Sequence, residues 1–204
     1  MNYEIIKLND NTWRIENGFV RLFLITGTEK ALLVDTGASL PNAREIAEGL
    51  TDLPITLVYT HGDGDHTSGT AAFAEFMMHP EDHVRCGTAA KYPDSKLIPV
   101  SDGDIIDLGD RRIELIHIPG HTYGSVAILD TVGRALYAGD SVQDGHVFMQ
   151  GAHRNPAAYA ASLAKLIARE AEYDVVYGFH GSPELPASYV RTVAAAWEIG
   201  RAHV

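Results

Sequence analysis

Apolar residues come in short runs along this chain, separated by glycine-rich and polar segments. Phe19–Thr26 and Ala31–Val34 are dense in apolar, β-branched and aromatic residues and flank Gly27-Thr28-Glu29-Lys30, which predicts a β-hairpin. Pro41–Leu50 has helical character, with Ile46 and Leu50 on one face. Ile55–Tyr59 predicts a strand, and Thr67–Met78, with Ala, Phe and Met on one side, predicts a helix. In the second half, strands are predicted over Asp104–Leu108, Arg112–His117, Ser125–Asp130, Arg134–Ala138 and Val175–Tyr177. A helix is predicted from Pro156 to about Ala171, with Asn155 as N-cap and a stripe of Tyr159, Leu163, Leu166 and Ile167. A closing helix is predicted from Pro186 to about Ala202. Strands followed by helices, twice over, predict a layered α/β sandwich.

At 204 residues, with no linker or low-complexity tract, residues 1–204 are expected to form one domain. Apolar residues make up 46% and charged residues 21%, as in a soluble globular protein. No apolar run approaches the roughly 18–20 residues of a membrane span. Met1-Asn2-Tyr3-Glu4 lacks the basic and apolar parts of a signal peptide, so a cytoplasmic location is expected. The net charge of -11 argues against nucleic acid as a partner, because phosphate binding wants an excess of Lys and Arg. Bound cations can match part of that charge. The sole cysteine, Cys86, follows Val84 and Arg85 in an expected strand and reads as an inert thiol. The oligomeric state stays open, a homodimer included.

The chemistry gathers at strand ends. Tyr59-Thr60-His61-Gly62-Asp63-Gly64-Asp65-His66 puts four metal-capable side chains directly after a strand. Pro119-Gly120-His121-Thr122, Ala138-Gly139-Asp140-Ser141 and Gly178-Phe179-His180-Gly181 each set a His or Asp beside glycine after a predicted strand. A rigid sheet can aim such loops at one point. Carboxylates are rarely buried without a partner, and a cation is one such partner.

With these motifs in this order, the chain resembles the metallo-β-lactamase-fold superfamily. The family's His-x-His-x-Asp-His, followed by His, Asp and His on later loops, stands here as His61-x-Asp63-x-Asp65-His66, His121, Asp140 and His180. Leu33-Val34-Asp35-Thr36-Gly37, Pro119-Gly120-His121-Thr122 and Gly139-Asp140-Ser141 match as flanking words, and the resemblance spans about residues 19–181. It implies a four-layer αββα sandwich of the α/β class, with the metal site at one edge of the two sheets. It implies one divalent ion on His61, Asp63 and His121, and a second on Asp65, His66 and His180. Asp140 would bridge them. Zinc is the first expectation. A metal-bound hydroxide would be the nucleophile. Asp65 would orient it and carry a proton to the leaving group, which makes Asp65 and Asp140 the expected catalytic residues. The implied activity is cleavage of an ester, thioester, lactone or amide-like bond in a small molecule. Large inserts of the nuclease branches have no room in segment 141–179, and residues 181–204 suffice for one helix rather than a glutathione-binding region.

Asp63 departs from the family's usual His. A third carboxylate should weaken the Lewis acidity of the metal pair and shift preference from zinc towards iron or manganese. A shorter side chain also opens a one-metal alternative on Asp65, His66, Asp140 and His180. Flavodiiron reductases carry Glu at the equivalent position, and there the residue matching His66 is usually not a ligand. A non-haem iron oxidoreductase, sulfur dioxygenase-like or flavodiiron-like, is therefore the alternative activity, and a degenerate non-catalytic scaffold is the third reading. Asp35 is expected to brace loops. His79 and His83 are expected in a surface turn, His117 in or at the edge of the core, and His203 in solvent. Segment 143–154 should border the cleft, with His146, His153 and Arg154 as candidates to bind substrate, Arg154 by pairing with a carboxylate. Tyr123 and Phe148 are candidates for an apolar wall.

Overall fold

The computed structural model describes residues 3–201; His203 lies outside them. Strands β1 (Glu4–Asn9), β2 (Thr12–Asn17), β3 (Val20–Thr26) and β4 (Ala31–Val34) form an antiparallel meander. Helix α1 (Ala43–Glu48) leads to β5 (Ile55–Val58), which pairs in parallel with β4. β6 (Glu75–Met78), the short helices α2 (Pro80–Arg85) and α3 (Thr88–Lys91), and β7 (Lys96–Pro99) extend the parallel half of a seven-stranded sheet ordered β1 to β7. The second sheet has six strands: β8 (Ile105–Asp107), β9 (Arg112–His117), β10 (Val126–Asp130), β11 (Ala135–Tyr137), β12 (Val175–Tyr177) and β13 (Glu184–Pro186). Helices α4 (Pro156–Ala168) and α5 (Tyr189–Arg201) follow β11 and β13.

Alternation within the strands explains the layers. In β3, Phe23 and Ile25 point to the core between the sheets, where they meet Ile113, Leu115, Val126 and Ile128. Leu22 and Leu24 point the other way, onto Ala43, Ile46 and Ala47 of α1. The outer face of the second sheet packs Ile116, Ala127, Leu129 and Val176 against Tyr159, Leu163 and Leu166 of α4. A strand covered on both faces reads as an unbroken apolar run, which is why 19–26 lacked alternation in sequence. The order of layers is helix, sheet, sheet, helix.

Two predicted elements are corrected. Thr67–Met78 is not a helix: a single 3-10 turn at Thr70–Ala72 leads into β6. Phe76 and Met78 join the α1 side while Met77 packs against the inter-sheet core, a period of two that a short apolar run does not reveal. Residues 84–86 are not a strand. Pro80 opens α2, the His79 side chain accepts from Glu81 N–H, and Cys86 closes the helix with Val84 exposed. The expected surface turn around His79 and His83 is thus this helix, and His79 stacks on His117 at 4.1 Å. Asn155 precedes α4 but makes no side-chain cap hydrogen bond.

β4 and β5 run parallel, as do β11 and β12, and β9 lies antiparallel to β10, which is antiparallel to β11. The carboxyl ends of β9, β11 and β12 therefore face one way. The loops that follow them carry His121, Asp140 and His180.

Candidate metal centre

Asp35, at the end of β4, is fully buried and sits at φ 63°, a conformation that strains any residue but glycine. Its carboxylate accepts from Thr60 N–H (2.8 Å), Thr60 Oγ1 (2.7 Å) and His66 Nδ1 (2.7 Å). It thereby braces the loop after β5. Gly139 brings the loop after β11 against that one: at φ +52° it lies where a Cβ would come within 2.8 Å of Thr60 Oγ1.

Four imidazoles are fixed through Nδ1. His61 Nδ1 meets Thr60 Oγ1 (3.0 Å), His66 Nδ1 meets Asp35, His121 Nδ1 meets Phe148 O (2.9 Å), and His180 Nδ1 meets Phe19 O (2.8 Å). Carbonyl and carboxylate oxygens only accept, so the Nδ1 of His66, His121 and His180 carries the proton there; the Thr60 hydroxyl, already donating to Asp35, sets the same tautomer in His61. Each Nε2 then offers a lone pair inward, the arrangement in which imidazole binds metal.

These lone pairs converge with carboxylates. His66 Nε2 lies 3.2 Å from Asp140 Oδ1 and 3.7 Å from Asp65 Oδ2, and His180 Nε2 lies 3.3 Å from both Asp65 Oδ2 and Asp140 Oδ2. The Nε2 atoms of His66 and His180 are 3.3 Å apart. Two lone pairs cannot bond each other, so a cation or proton must lie between them. On the other side, Asp63 Oδ2 is 3.2 Å from His121 Nε2 and 3.6 Å from His61 Nε2. Ligands about 2.1 Å from a tetrahedral ion are about 3.4 Å apart, which these spacings match. His61 Nε2 is buried with no hydrogen-bond partner. The donor set fits divalent metal by spacing, tautomer and chemistry. Within 4.8 Å, ligand atoms gather as His61, Asp63, His121 and as Asp65, His66, His180. The same holds for Asp35, His61 and His66, but the Asp35 oxygens are already engaged by Thr60 and His66.

Charge follows the geometry. Burial opposes charge at His180, yet hydrogen bonds to Asp140 and Asp65 outweigh it and push its pKa up to about 10. His66 is driven well above the ordinary range by Asp140 and Asp35 against its burial. Burial works against ionised Asp140 and Asp65 too, but the surrounding histidines hold both below the usual carboxylate range. Asp63 is held far below it, burial being overcome by the His121 and His61 imidazoles and the Arg154 guanidinium around its carboxylate. The carboxylates demand positive charge, and protons or a metal ion supply it.

The candidates of segment 143–154 divide. Arg154 is buried and donates to Asp63 Oδ2 (2.6 Å), so its guanidinium is engaged by a carboxylate of the centre rather than held out to a substrate. His153 Nε2 lies 3.5 Å from Asp63 Oδ1. His146 is exposed and borders a separate cleft of about 300 Å³ lined by Tyr159, Tyr189 and Trp197. Phe148 is 57% exposed and its ring lies 5.2 Å from the Arg154 guanidinium. Tyr123 donates its N–H to His153 O, while the Arg85 guanidinium covers its ring at 4.0 Å.

Two contributors escaped sequence reasoning. Asp82, fully buried on α2, accepts from Gly62 N–H (2.9 Å), Thr122 Oγ1 (2.7 Å) and Gly124 N–H (2.6 Å). It ties the His61 loop to the His121 loop. A carboxylate within Pro80-Glu81-Asp82-His83 carries no periodicity that marks it as buried. Phe19, 68% exposed, stacks on His180 at 5.7 Å, and its carbonyl orients that ring. Cys86 packs near Gly62, and burial pushes its thiol pKa up, away from reactivity.

A four-layer αββα sandwich with imidazoles and carboxylates converging at one edge of its sheets defines a metallo-hydrolase type of protein. Residues 16–180 match the model of the metallo-beta-lactamase superfamily, and the chain belongs to that superfamily. It is 26% identical over 182 residues to the acyl-coenzyme A thioesterase MBLAC2 of Gallus gallus, covering 72% of this chain and 66% of that protein. The chain thus spans slightly under two thirds of the length of this curated relative. It is 31% identical over 121 residues to the atrochrysone carboxyl ACP thioesterase nsrC of Aspergillus novofumigatus, covering 57% of this chain and 36% of that protein. The fold matches a metallo-beta-lactamase from Pontibacter korlensis with a TM-score of 0.80 at 18% identity, covering 97% of this chain and 99% of the other.

Proposed function

We propose that this chain is a metal-dependent hydrolase that cleaves the thioester of a small acyl substrate. The observation that carries this reading is the convergence of His66 Nε2, His180 Nε2, Asp65 and Asp140 at 3.2–3.7 Å around one point. Those four would hold the ion, with zinc the preferred metal. A divalent ion there lowers the pKa of a water and polarises a carbonyl oxygen. Asp65, whose side chain is 30% exposed and which is kept ionised, can take a proton from water and hand it to the leaving sulfur. Phe19 and Phe148 present exposed aromatic faces beside His180 and Arg154, which suits an apolar acyl chain. Two similar proteins with thioesterase names support the thioester over other acyl bonds. The shared core between the sheets supports a single domain. Among the described residues, no helix is long and apolar enough to cross a membrane.

The test is elemental analysis of protein purified without added metal, followed by a screen of acyl thioesters, esters and lactones. Zinc in the protein, with thiol release that stops on chelation and returns with zinc, is expected. Iron with oxygen uptake in the presence of a thiol donor would instead establish redox chemistry. Hydrolysis indifferent to chelation would remove the proposal.

A further inference from the structure

Arg154 stands where the family pattern would put the first metal. Its Nη2 donates to Asp63 Oδ2 at 2.6 Å, and its Nη1 reaches His121 Nε2 at 2.8 Å and His121 O at 3.1 Å. These two side-chain atoms, Asp63 Oδ2 and His121 Nε2, are the ones best placed for a metal on His61, Asp63 and His121, since Asp63 Oδ2 lies 3.2 Å from His121 Nε2 and 3.6 Å from His61 Nε2. A lone pair donated to a guanidinium N–H is not available to a metal.

The placement is built rather than incidental. Arg154 is 8% exposed and Phe148 covers its guanidinium. On one side Tyr123 N–H donates to His153 O (3.1 Å), and on the other Asn155 N–H donates to Gly120 O (2.8 Å), beside His121. The chain is thus pinned on both sides of Arg154 to the loop that carries His121. Guanidinium stays protonated at any working pH.

We propose that Asp63 and Arg154 are a matched pair in which a fixed guanidinium replaces the first metal ion, leaving one metal per chain on Asp65, His66, Asp140 and His180. This rests on the reading of the cluster as a metal centre. The departure from His at position 63 then has a reason. A neutral imidazole would give the buried guanidinium no counter-charge, whereas a carboxylate neutralises it. A divalent ion at the same place would face a like charge at contact distance, with His61 the one side chain of the trio that Arg154 does not engage. One neutral nitrogen and a carboxylate already neutralised by the guanidinium do not hold a divalent ion against that repulsion. The guanidinium supplies a positive charge beside the remaining metal that neither exchanges nor yields to chelators.

The test is metal stoichiometry, read by calorimetric zinc titration and elemental analysis of the full chain, wild type beside Arg154→Ala and Asp63→His. One tight zinc per chain is expected in wild type. Two are expected in Arg154→Ala, which frees both ligand atoms, and two in Asp63→His, which removes the guanidinium's counter-charge. Asp63→His carries the test if Arg154→Ala does not fold. Two tight ions in wild type, or a single ion in all folded variants, overturns the pairing while leaving the metal centre intact. No tight ion in any of them overturns the proposed function, and the pairing with it.

Discussion

At the scale of single residues, the centre depends on groups that never touch a metal. Asp82 is the sharpest case, a carboxylate with no exposure that holds two site loops together through Gly62, Thr122 and Gly124. Asp82→Asn keeps its shape but sets an amide NH2 against at least one backbone N–H. Lost charge-assisted bonds and one unsatisfied donor should cost about 2–3 kcal/mol, read as a fall in the urea midpoint. Loosened positioning should weaken zinc affinity by about 10–100-fold in a chelator competition. Unchanged affinity in a destabilised protein would reduce Asp82 to a purely structural role.

The words of the candidate site were legible because chemistry and chain position coincide. His61, Asp63, Asp65 and His66 are near neighbours in sequence, and glycine beside His121, Asp140 and His180 marks a strand end. Phe19 was not legible as an orienting residue: its carbonyl serves His180 across 161 positions, and any residue has a carbonyl. Arg154 reads in sequence as a substrate-binding candidate and not as the partner of Asp63, since the two lie 91 positions apart.

At the scale of elements, loops succeed only where they approach closely. The turn after β11 passes Thr60 and His61 with no space for a side chain at Gly139. Gly139→Ala must both adopt a positive φ and push against Thr60 Oγ1 and Cβ at 2.8 and 2.9 Å. A loss of about 1–3 kcal/mol in stability is expected from the backbone conformation alone, measured by thermal melting. Metal content should fall as well, because Asp140 is the next residue. A variant with wild-type melting and metal would show that the loops can separate freely. The hairpin of β3 and β4 and the strands β9 to β12 were predicted close to their observed places because turn residues and β-branched runs agree there. β6 was misread as helix because the Ala-rich segment before it hides a period of two, and only its pairing with β5 and β7 makes it a strand.

At the scale of the whole molecule, the proposed metal is a clip between the sheets. His66 follows β5 of the first sheet, while Asp140 and His180 follow β11 and β12 of the second. Removing the ion leaves buried carboxylates facing protonated imidazoles and severs that cross-link. Chelation should therefore lower Tm, and free zinc at a hundred times its Kd should restore about 2.7 kcal/mol. The sign with pH follows from His66 and His180. Their pKa values are raised without metal, to about 10 for His180, so protons compete with the ion below that pH. Zinc uptake at neutral pH should release protons, and affinity should rise with pH across that window, both visible by calorimetry in buffers of different ionisation heat. Uptake without proton release would place the ion elsewhere.

The sequence by itself determined what is local: most of the strands, which strand ends carry imidazole or carboxylate, and which four groups share one loop. Those follow from covalent neighbourhood and side-chain preference. The tertiary structure alone decided who faces whom. Stacking two sheets over one core aimed His121 and Arg154 at Asp63, buried Asp82 between two loops, and fixed each Nε2 inward. Such contacts join positions tens of residues apart, and their distances are set by sheet packing, which spacing along a chain does not encode.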